Sequence, residues 1–250
     1  MKKNILVLGG LLLASACYAA DVSFSLTFDG KTLNPESSQG DTKPIKALSL
    51  TDDNFVKGFN NKEAFVLTKQ EAPAYTANGI VNFGESTVSF WFKPVNWMQD
   101  KPARFLHIFS PSQDKKSLLI YYFYKNADGD ITMKIVGSND SRKDVSEVTI
   151  PGDSIAKDAW QKIDVVWNAK TLTIYRNGEK VDEKPVFDAF AALAQAPRDW
   201  TGFFVLPVYT ADGDDWAVKT AMDNITIYKN ALTDKEIKEN YSKDLASASK

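Results

Sequence analysis

Short segments in which apolar and polar residues alternate are the feature that most limits how this chain can fold. In segment 87–93, Val88, Phe90 and Phe92 share one face. Trp91 points to the opposite face. Similar segments occur at residues 22–28, 118–125, 131–136, 161–167, 171–176 and 222–228. Because successive side chains of a strand lie on opposite faces, this pattern predicts antiparallel sheets that bury one face of each strand.

Two turn signals join neighbouring segments into predicted hairpins. Asn177 and Gly178 stand between two of the segments, and both residue types tolerate the positive φ of a two-residue hairpin turn. The polar stretch from Asn126 to Asp130 separates another pair of segments and predicts a second hairpin.

Two stretches predict helix in this otherwise β-rich chain. Thr233 and Glu236 have the spacing of a capping box, and Leu232 and Ile237 stand where a hydrophobic staple places its residues. We expect this C-terminal helix to be short and to end near residue 241. The Ala-rich stretch 187–195 predicts one or two further helical turns.

The first twenty residues have the order of a secretory signal peptide. Two lysines precede the apolar stretch Ile5–Leu13, and small residues follow up to Ala20. We therefore expect an extracytoplasmic protein, either secreted or periplasmic. The alternative is cleavage before Cys17, which would give a lipoprotein. Only a lipidated Cys17 would bring this chain to a membrane.

Four motifs occur in a characteristic order, namely Ser86–Pro94, Ala159–Trp167, Leu172–Lys180 and Met222–Ile237. Together with the opening Phe28-Asp29-Gly30, they resemble a laminin-G-like jelly-roll domain of the concanavalin A-like lectin/glucanase superfamily. The resemblance implies an all-β fold of two curved antiparallel sheets, one of them concave. It also implies that the first and last strands lie close together.

Three parts are expected along the chain. Residues 1–20 form the signal peptide, 21–241 the laminin-G-like domain with its C-terminal helix, and 242–250 a flexible tail. The Pro- and Asp-rich segment 195–219 matches no part of the family pattern, and the sequence leaves its role open.

The balance of charge and the scarcity of two residue types exclude several function classes. Thirty basic and thirty-two acidic residues give a formal charge of −2, so the chain has no electrostatic signature of nucleic-acid binding. One Cys and one His leave little for metal sites or nucleophile–His pairs built from these residues. We predict no nucleic-acid partner.

The sequence also lacks the catalytic patterns of the superfamily it resembles. Retaining hydrolases need two carboxylates about 5 Å apart, and no predicted strand carries that spacing. Asp164 is the only acid in its strand. Side chains of the type that a lyase would use are Arg104, His107, Tyr121, Tyr122 and Tyr124. No lyase motif surrounds them, and His107 is predicted to pack in an apolar strand, so we predict no catalytic residue and no enzyme activity.

Calcium is the one cofactor that the resemblance suggests. Calcium sites are common in laminin-G-like domains, and Asp29 and Asp223 stand at the end of the first strand and in the last strand. We expect these carboxylates to be the candidates for a calcium site, with the other ligands unassigned. The acidic stretches 126–130 and 212–215 are interpreted instead as polar turns.

Tryptophans outside the predicted core supply the remaining functional signal. Trp97, Trp200 and Trp216 lie in irregular polar segments beside Asp100, Asp199 and Asp215. Trp91 faces away from the core, either towards the concave face or beneath a covering loop. Aromatic faces next to polar groups are typical of sugar sites, although a tryptophan can also anchor a long loop.

These residues predict a secreted, non-catalytic module that binds a glycan or a protein partner at the cell surface. Its predicted ligand-binding residues are Trp91, Trp97, Trp200 and Trp216. Two alternatives stay open at this stage. One is a polysaccharide hydrolase or lyase on the same fold, and the other is a structural component of the envelope or an adhesion component.

Overall fold

The computed structural model describes residues 21–45, 49–66, 73–95, 97, 102–139, 142–196 and 220–249, and the backbone of 203–205. In this part of the chain, fifteen strands form two antiparallel sheets. The strands are β1 (Val22–Leu26), β2 (Ser37–Ser38), β3 (Phe55–Lys57), β4 (Glu63–Val66), β5 (Ala74–Thr76), β6 (Ser86–Pro94), β7 (Ala103–Pro111), β8 (Ser117–Lys125), β9 (Ile131–Asn139), β10 (Arg142–Ile150), β11 (Gln161–Trp167), β12 (Thr171–Arg176), β13 (Glu179–Pro185), β14 (Phe203–Val205) and β15 (Thr220–Tyr228). The helices are α1 (Phe190–Gln195) and α2 (Asp234–Ala248).

The first sheet has the strand order β13-β12-β11-β6-β15-β1-β2, and β3 and β4 extend it beside β15. The second sheet has the order β10-β9-β8-β7-β14-β5. The predicted all-β jelly-roll sandwich with a C-terminal helix is therefore confirmed. The first and last strands are also neighbours, with Leu26 of β1 opposite Ile225 of β15.

The core lies between the sheets and follows the alternation in the sequence. Val88, Phe90 and Phe92 of β6 are fully buried there. Trp91 points to the outer face of the first sheet, as its place in the pattern predicts. The bounds of β11 and β12 agree with the alternating segments of the sequence. Burial of large apolar side chains supplies most of the free energy that favours such a fold.

Several strands have no alternating segment that predicts them. Strand β13 forms an edge of the first sheet, and its charged residues are almost all exposed. Charged side chains on an edge strand protect it from pairing with other chains. These charges take the place of the apolar residues, so the strand shows no alternating pattern. Strands β2 to β5 are too short for a period of two to be recognised.

The hairpin predicted at Asn177 and Gly178 joins β12 to β13. Both residues have positive φ, 52° and 80° respectively. The Asn177 backbone N–H donates to the Lys162 carbonyl oxygen at 2.9 Å, and the Asn177 side-chain oxygen accepts from the Lys162 N–H at 2.9 Å. The turn is therefore tied to the neighbouring strand as well as closing its own hairpin.

Helix α2 begins as the sequence predicts but continues further. Thr233 Oγ1 accepts from the Glu236 N–H at 3.3 Å, and Glu236 Oε2 accepts from the Thr233 N–H at 2.8 Å, which completes the capping box. The prediction of an end near residue 241 and a flexible tail over 242–250 is wrong, because the helix extends to Ala248. Neither helix in the described residues has the length and apolar character needed to cross a membrane.

A polar cluster beneath α2 explains the longer helix. The Trp91 indole Nε1–H donates to Asp244 Oδ2 at 3.0 Å, and the ammonium of Lys162 lies 2.7 Å from the same oxygen. The side chain of Lys162 is only 4% exposed, so its charge needs a partner in the folded protein. Asp244 supplies it from the segment expected to be flexible, which holds that segment against the sheet.

Asp164 lies in the same cluster and is less well satisfied. Its Oδ1 is 3.9 Å from the Lys162 ammonium, and its Oδ2 is buried without a hydrogen-bond partner. Burial raises the pKa of Asp164 to about 6. The carboxylate sits under a helix and away from solvent.

Replacing Asn177 by proline tests the hairpin. Proline cannot adopt positive φ and has no N–H for the bond to Lys162, so we expect Asn177→Pro to lower the free energy of unfolding by roughly 3 kcal/mol or more. Asn177→Gly keeps the backbone conformation and is the matched control, with an expected loss of about 1 kcal/mol. Urea unfolding measures both variants, and a proline variant as stable as the wild type would disprove the turn.

Asp164→Asn tests the buried carboxylate. Burial raises the pKa of Asp164 from 3.8 in its ordinary state to about 6 when folded, so folding favours the protonated form. The stabilising contribution of protonated Asp164 is therefore complete below about pH 4 and is lost as the pH rises through 6. Because asparagine does not titrate, the stability of Asp164→Asn relative to wild type should rise between pH 4 and pH 6 by on the order of 2–3 kcal/mol, and stay constant above. If the free energies of unfolding of Asp164→Asn and wild type differ by the same amount at pH 4 and at pH 7, this prediction is wrong.

Candidate ligand-binding site

A cleft of about 680 Å³ opens at one end of the sandwich. It lies between the end of β6, the β8–β9 hairpin and the connection from β10 to β11. Its walls include Val95, Trp97, Lys125, residues 128–130 and residues 151–153. We call it the Trp97 cleft.

Two glycines and one aspartate hold its loops together. Asp130 Oδ1 accepts from the Gly152 N–H at 2.8 Å, which ties the β8–β9 hairpin to the β10–β11 connection. A Cβ on Gly152 would lie 2.5 Å from the backbone carbon of Gly129, so only glycine permits this approach. Within the hairpin, the Asn126 side-chain oxygen accepts from the Asp130 N–H at 2.9 Å. The polar turn predicted at 126–130 is confirmed, and it forms one wall of the cleft.

Trp97 is half-buried and held rigidly in the wall of the cleft. Its ring stacks on Phe92 and Phe105 with centroid separations of 5.7 Å and 5.6 Å. Its indole Nε1–H donates to Thr220 Oγ1 at 2.9 Å. These contacts fix the ring before any ligand arrives, so little side-chain entropy is lost on binding.

The charges around the cleft are mostly acidic. Asp128, Asp130, Asp153 and Asp158 line it together with Lys125 and Lys157. Lys125 is only 1% exposed; its ammonium donates to the Asn126 carbonyl oxygen at 3.2 Å and lies 5.9 Å from the centre of the Trp97 ring. An aromatic ring among carboxylate acceptors suits a ligand with apolar faces and many hydroxyl groups. The sequence predicts this role for Trp97, whereas the lysines and the acids come from distant segments with no shared motif.

The other tryptophans predicted to bind ligand have different outcomes. Trp91 is only 1% exposed and lies between Phe59, at 3.4 Å between ring centroids, and Tyr241 of α2, at 5.8 Å. The prediction that Trp91 binds ligand is therefore wrong, since a covering loop and a helix remove its faces from solvent. Trp200 and Trp216 lie outside the described residues.

Four of the five lyase-type side chains share the outer face of the second sheet. Arg104 pairs with Tyr124 across β7 and β8, and His107 pairs with Tyr122. Tyr121 points into the core instead, where it is fully buried. Burial lowers the pKa of His107 to about 4, and its Nε2 is buried without a hydrogen-bond partner. The imidazole is therefore neutral at neutral pH, and this nitrogen is shielded from a substrate.

The two aspartates predicted to bind calcium do lie near each other. Asp223 is fully buried and accepts from the Phe59 N–H at 2.9 Å and from the Asn224 N–H at 2.8 Å. Burial raises its pKa to about 7, and the negative charge of Asp29 adds to the rise. A Cβ on Gly58 would lie 2.5 Å from Asp223 Oδ2, so glycine is needed beside this carboxylate.

The donor set at this pair fits a cation in part. Asp29 Oδ1 is buried without a hydrogen-bond partner, which a cation would satisfy. Asp29 Oδ2, however, already lies 2.6 Å from the ammonium of Lys62. No group of three or more His, Cys, Asp or Glu side chains that could hold a metal occurs in the described part of the chain. Calcium would therefore need backbone carbonyls and water as further ligands and would compete with Lys62. It stays a prediction.

Comparison with known proteins agrees with this architecture. A laminin G family model, described as the concanavalin A-like lectin/glucanases superfamily, matches residues 68–238. The chain belongs to this superfamily. A search of curated proteins gave no match.

Solved structures with the same fold include binding domains of bacterial toxins. The binding domain of botulinum neurotoxin serotype D has a TM-score of 0.62 and 16% identity, and the alignment covers 89% of this chain and 52% of that one. The binding domain of Paraclostridial mosquitocidal protein 1 has a TM-score of 0.63, 15% identity and coverages of 89% and 52%. A serotype D ligand-binding domain in complex with N-acetylneuraminic acid has a TM-score of 0.60, 15% identity and coverages of 88% and 50%. This superfamily member therefore spans about half the length of these domains and shares their fold.

Chelation tests calcium at Asp29 and Asp223. If calcium binds there, adding it at a hundred times its dissociation constant should stabilise the protein by about 2.7 kcal/mol, which raises the melting temperature by roughly 5–10 °C. Chelator should reverse the rise, and Asp223→Asn should abolish it. Asp128→Asn, at the rim of the Trp97 cleft, is the control and should keep the full response. A melting temperature that is the same with calcium and with chelator would show that calcium does not bind at this site.

Proposed function

We propose that this protein is an exported, non-catalytic module that binds a glycan in the Trp97 cleft. The observation that carries the proposal is the half-buried Trp97 ring, fixed by two aromatic stacks in a cleft rimmed by carboxylates. The rigid ring supports stacking against a sugar face. Acids such as Asp128 and Asp153 supply acceptors for sugar hydroxyl groups.

The fold comparison supports a binding role in general terms. The solved structures are named as binding domains, and one was determined with N-acetylneuraminic acid. At 15–16% identity these structures show the shared fold alone. The proposal that this chain binds a glycan therefore rests on its own cleft. A protein partner is the alternative ligand, and a structural role in the envelope is the alternative function.

Two features of the described residues support the absence of catalysis. Asp164, the acid within the central strand β11, lies fully buried beneath α2 and out of reach of a substrate. His107 is neutral, and its Nε2 is buried. The grouping of His107 with Tyr122, Tyr124 and Arg104 is the one observation that favours a lyase. Release of unsaturated sugars from a polysaccharide would decide for that alternative.

The order of residues 1–20 supports export, and with it a ligand outside the cytoplasm. A glycan of the cell surface or its surroundings is the ligand class that this location and the Trp97 cleft have in common.

Replacing Trp97 tests the proposed cleft. A glycan array identifies the best ligand, and calorimetry measures its affinity for each variant. Loss of the stacking ring in Trp97→Ala should cost about 1–3 kcal/mol, which is about 5- to 150-fold in dissociation constant. Trp97→Phe keeps an aromatic ring and should lose much less affinity.

A second variant separates binding from folding, because Trp97 also packs against Phe92 and Phe105. Asp153→Asn changes only the exposed rim of the cleft. It should weaken binding of the same glycan while leaving the melting temperature unchanged. Glycan binding that survives both Trp97→Ala and Asp153→Asn would place the ligand elsewhere. If no glycan on the array binds, a protein partner or a structural role is favoured.

A further inference from the structure

Strand β10 is the long edge strand of the second sheet. It pairs with β9 along its whole length, and no strand in the described part of the chain pairs with its other side. The opposite edge of the same sheet is β5, which has only three residues. An edge strand of nine residues presents a row of backbone N–H and C=O groups with which a further strand can pair.

Alternate residues of β10 direct their backbone groups to this free edge. The Thr149 N–H donates to Asp182 Oδ2 of β13 at 3.2 Å, so it points away from β9. Because residues two apart in a strand direct their N–H and C=O groups to the same side, those of Lys143, Val145 and Glu147 also face the free edge. Asp182 caps the edge at Thr149, whereas no described residue caps the stretch from Lys143 to Glu147.

The side chains of this stretch are exposed. Val145 is 47% exposed, more than any other large apolar side chain in the described strands. Lys143 has no ion-pair partner among the described residues. Glu147 uses Oε2 for its ion pair with Lys134, at 2.8 Å. The edge therefore carries an exposed valine with a cation two positions before it and an anion two positions after it.

This order of residues is complementary to itself in an antiparallel pair. When two copies of β10 pair about a two-fold axis at Val145, each Val145 lies opposite the other, and Lys143 of each copy lies opposite Glu147 of the other. All three are hydrogen-bonded pairs, because these residues direct their backbone groups to the edge. Charges on an edge prevent pairing when like charges meet, but here unlike charges meet and stabilise the pair.

We propose that this protein forms a two-fold homodimer in which the β10 strands of two copies pair antiparallel about Val145. The second sheets of the two copies then join into one continuous sheet. Because both copies use the same edge, the contact closes at the dimer and does not continue into a fibre. The proposal concerns a different surface from the Trp97 cleft, so it stands whether or not that cleft binds a glycan.

Sedimentation equilibrium of the full chain over a range of concentrations measures the dimer. The wild type should show a reversible equilibrium between monomer and dimer. Val145→Lys places two ammonium groups opposite each other at the axis and should raise the dissociation constant at least about tenfold. Val22→Lys, at a 38% exposed valine of β1 in the first sheet, is the matched control and should leave the constant unchanged. Melting temperatures show whether each variant folds.

Two charge reversals test the register. Lys143→Glu and Glu147→Lys each place like charges opposite each other in both symmetry-related pairs, so each alone should weaken the homodimer at least about tenfold. An equimolar mixture of the two variants should recover dimers, because each pair of the heterodimer again joins a carboxylate to an ammonium. A role of either residue within its own chain does not produce this recovery.

Hydrogen exchange locates the contact along β10. As the concentration rises, the amides of Lys143, Val145 and Glu147 should exchange more slowly, while those of Asp144 and Ser146, which face β9, should not change. A protein that stays monomeric at every concentration would overturn the proposal. So would a dimer that Val145→Lys leaves intact, a mixture of the two charge variants that stays monomeric, or growth beyond the dimer.

Discussion

Burial of both faces of the central strands of the first sheet is the constraint on which the rest of this structure depends. Every residue of β11 is buried, because its inner side chains pack against the second sheet and its outer ones lie beneath α2 and the cluster around Asp244. Asp244 accepts from the Trp91 indole and from the Lys162 ammonium, and this pair of contacts holds the helix to the sheet. A buried ion pair adds little net stability, but removing one partner leaves a buried charge and is costly. The cluster therefore specifies where α2 lies.

Closing the first sheet in this way limits where a ligand can bind. Trp91, which the alternation correctly directs away from the core, is enclosed by Phe59 and Tyr241 rather than presented to a sugar. The open end of the sandwich and the outer face of the second sheet then remain as surfaces with aromatic rings.

The sequence predicts those parts of the fold in which a local pattern has a local cause. Alternation identifies β6, β11 and β12, the Asn177-Gly178 pair identifies a hairpin, and Thr233 with Glu236 identifies the start of α2. The end of α2 escapes prediction, because Asp244 is held by Lys162, 82 positions earlier in the chain. The Trp97 cleft shows the same limit: Trp97 stands out as a loop tryptophan, but Lys125, Asp130 and Asp153 join it only through the folding of two distant loops. His107 and Tyr122 likewise stack because of strand register, which no motif encodes.

A spectrum that reports each tryptophan separately tests both the enclosed and the open aromatic surfaces. Two-dimensional ¹H–¹⁵N spectra resolve the indole N–H of Trp91, hydrogen-bonded to Asp244, from that of Trp97, hydrogen-bonded to Thr220. On titration with the glycan that binds most tightly, the Trp97 indole and the amides of residues 128–130 and 151–153 should shift. The Trp91 indole should not, and the glycan should remain intact in the sample. A shift at Trp91 with none at Trp97, or degradation of the glycan during the titration, would contradict a non-catalytic module that binds its ligand at the open end of the sandwich.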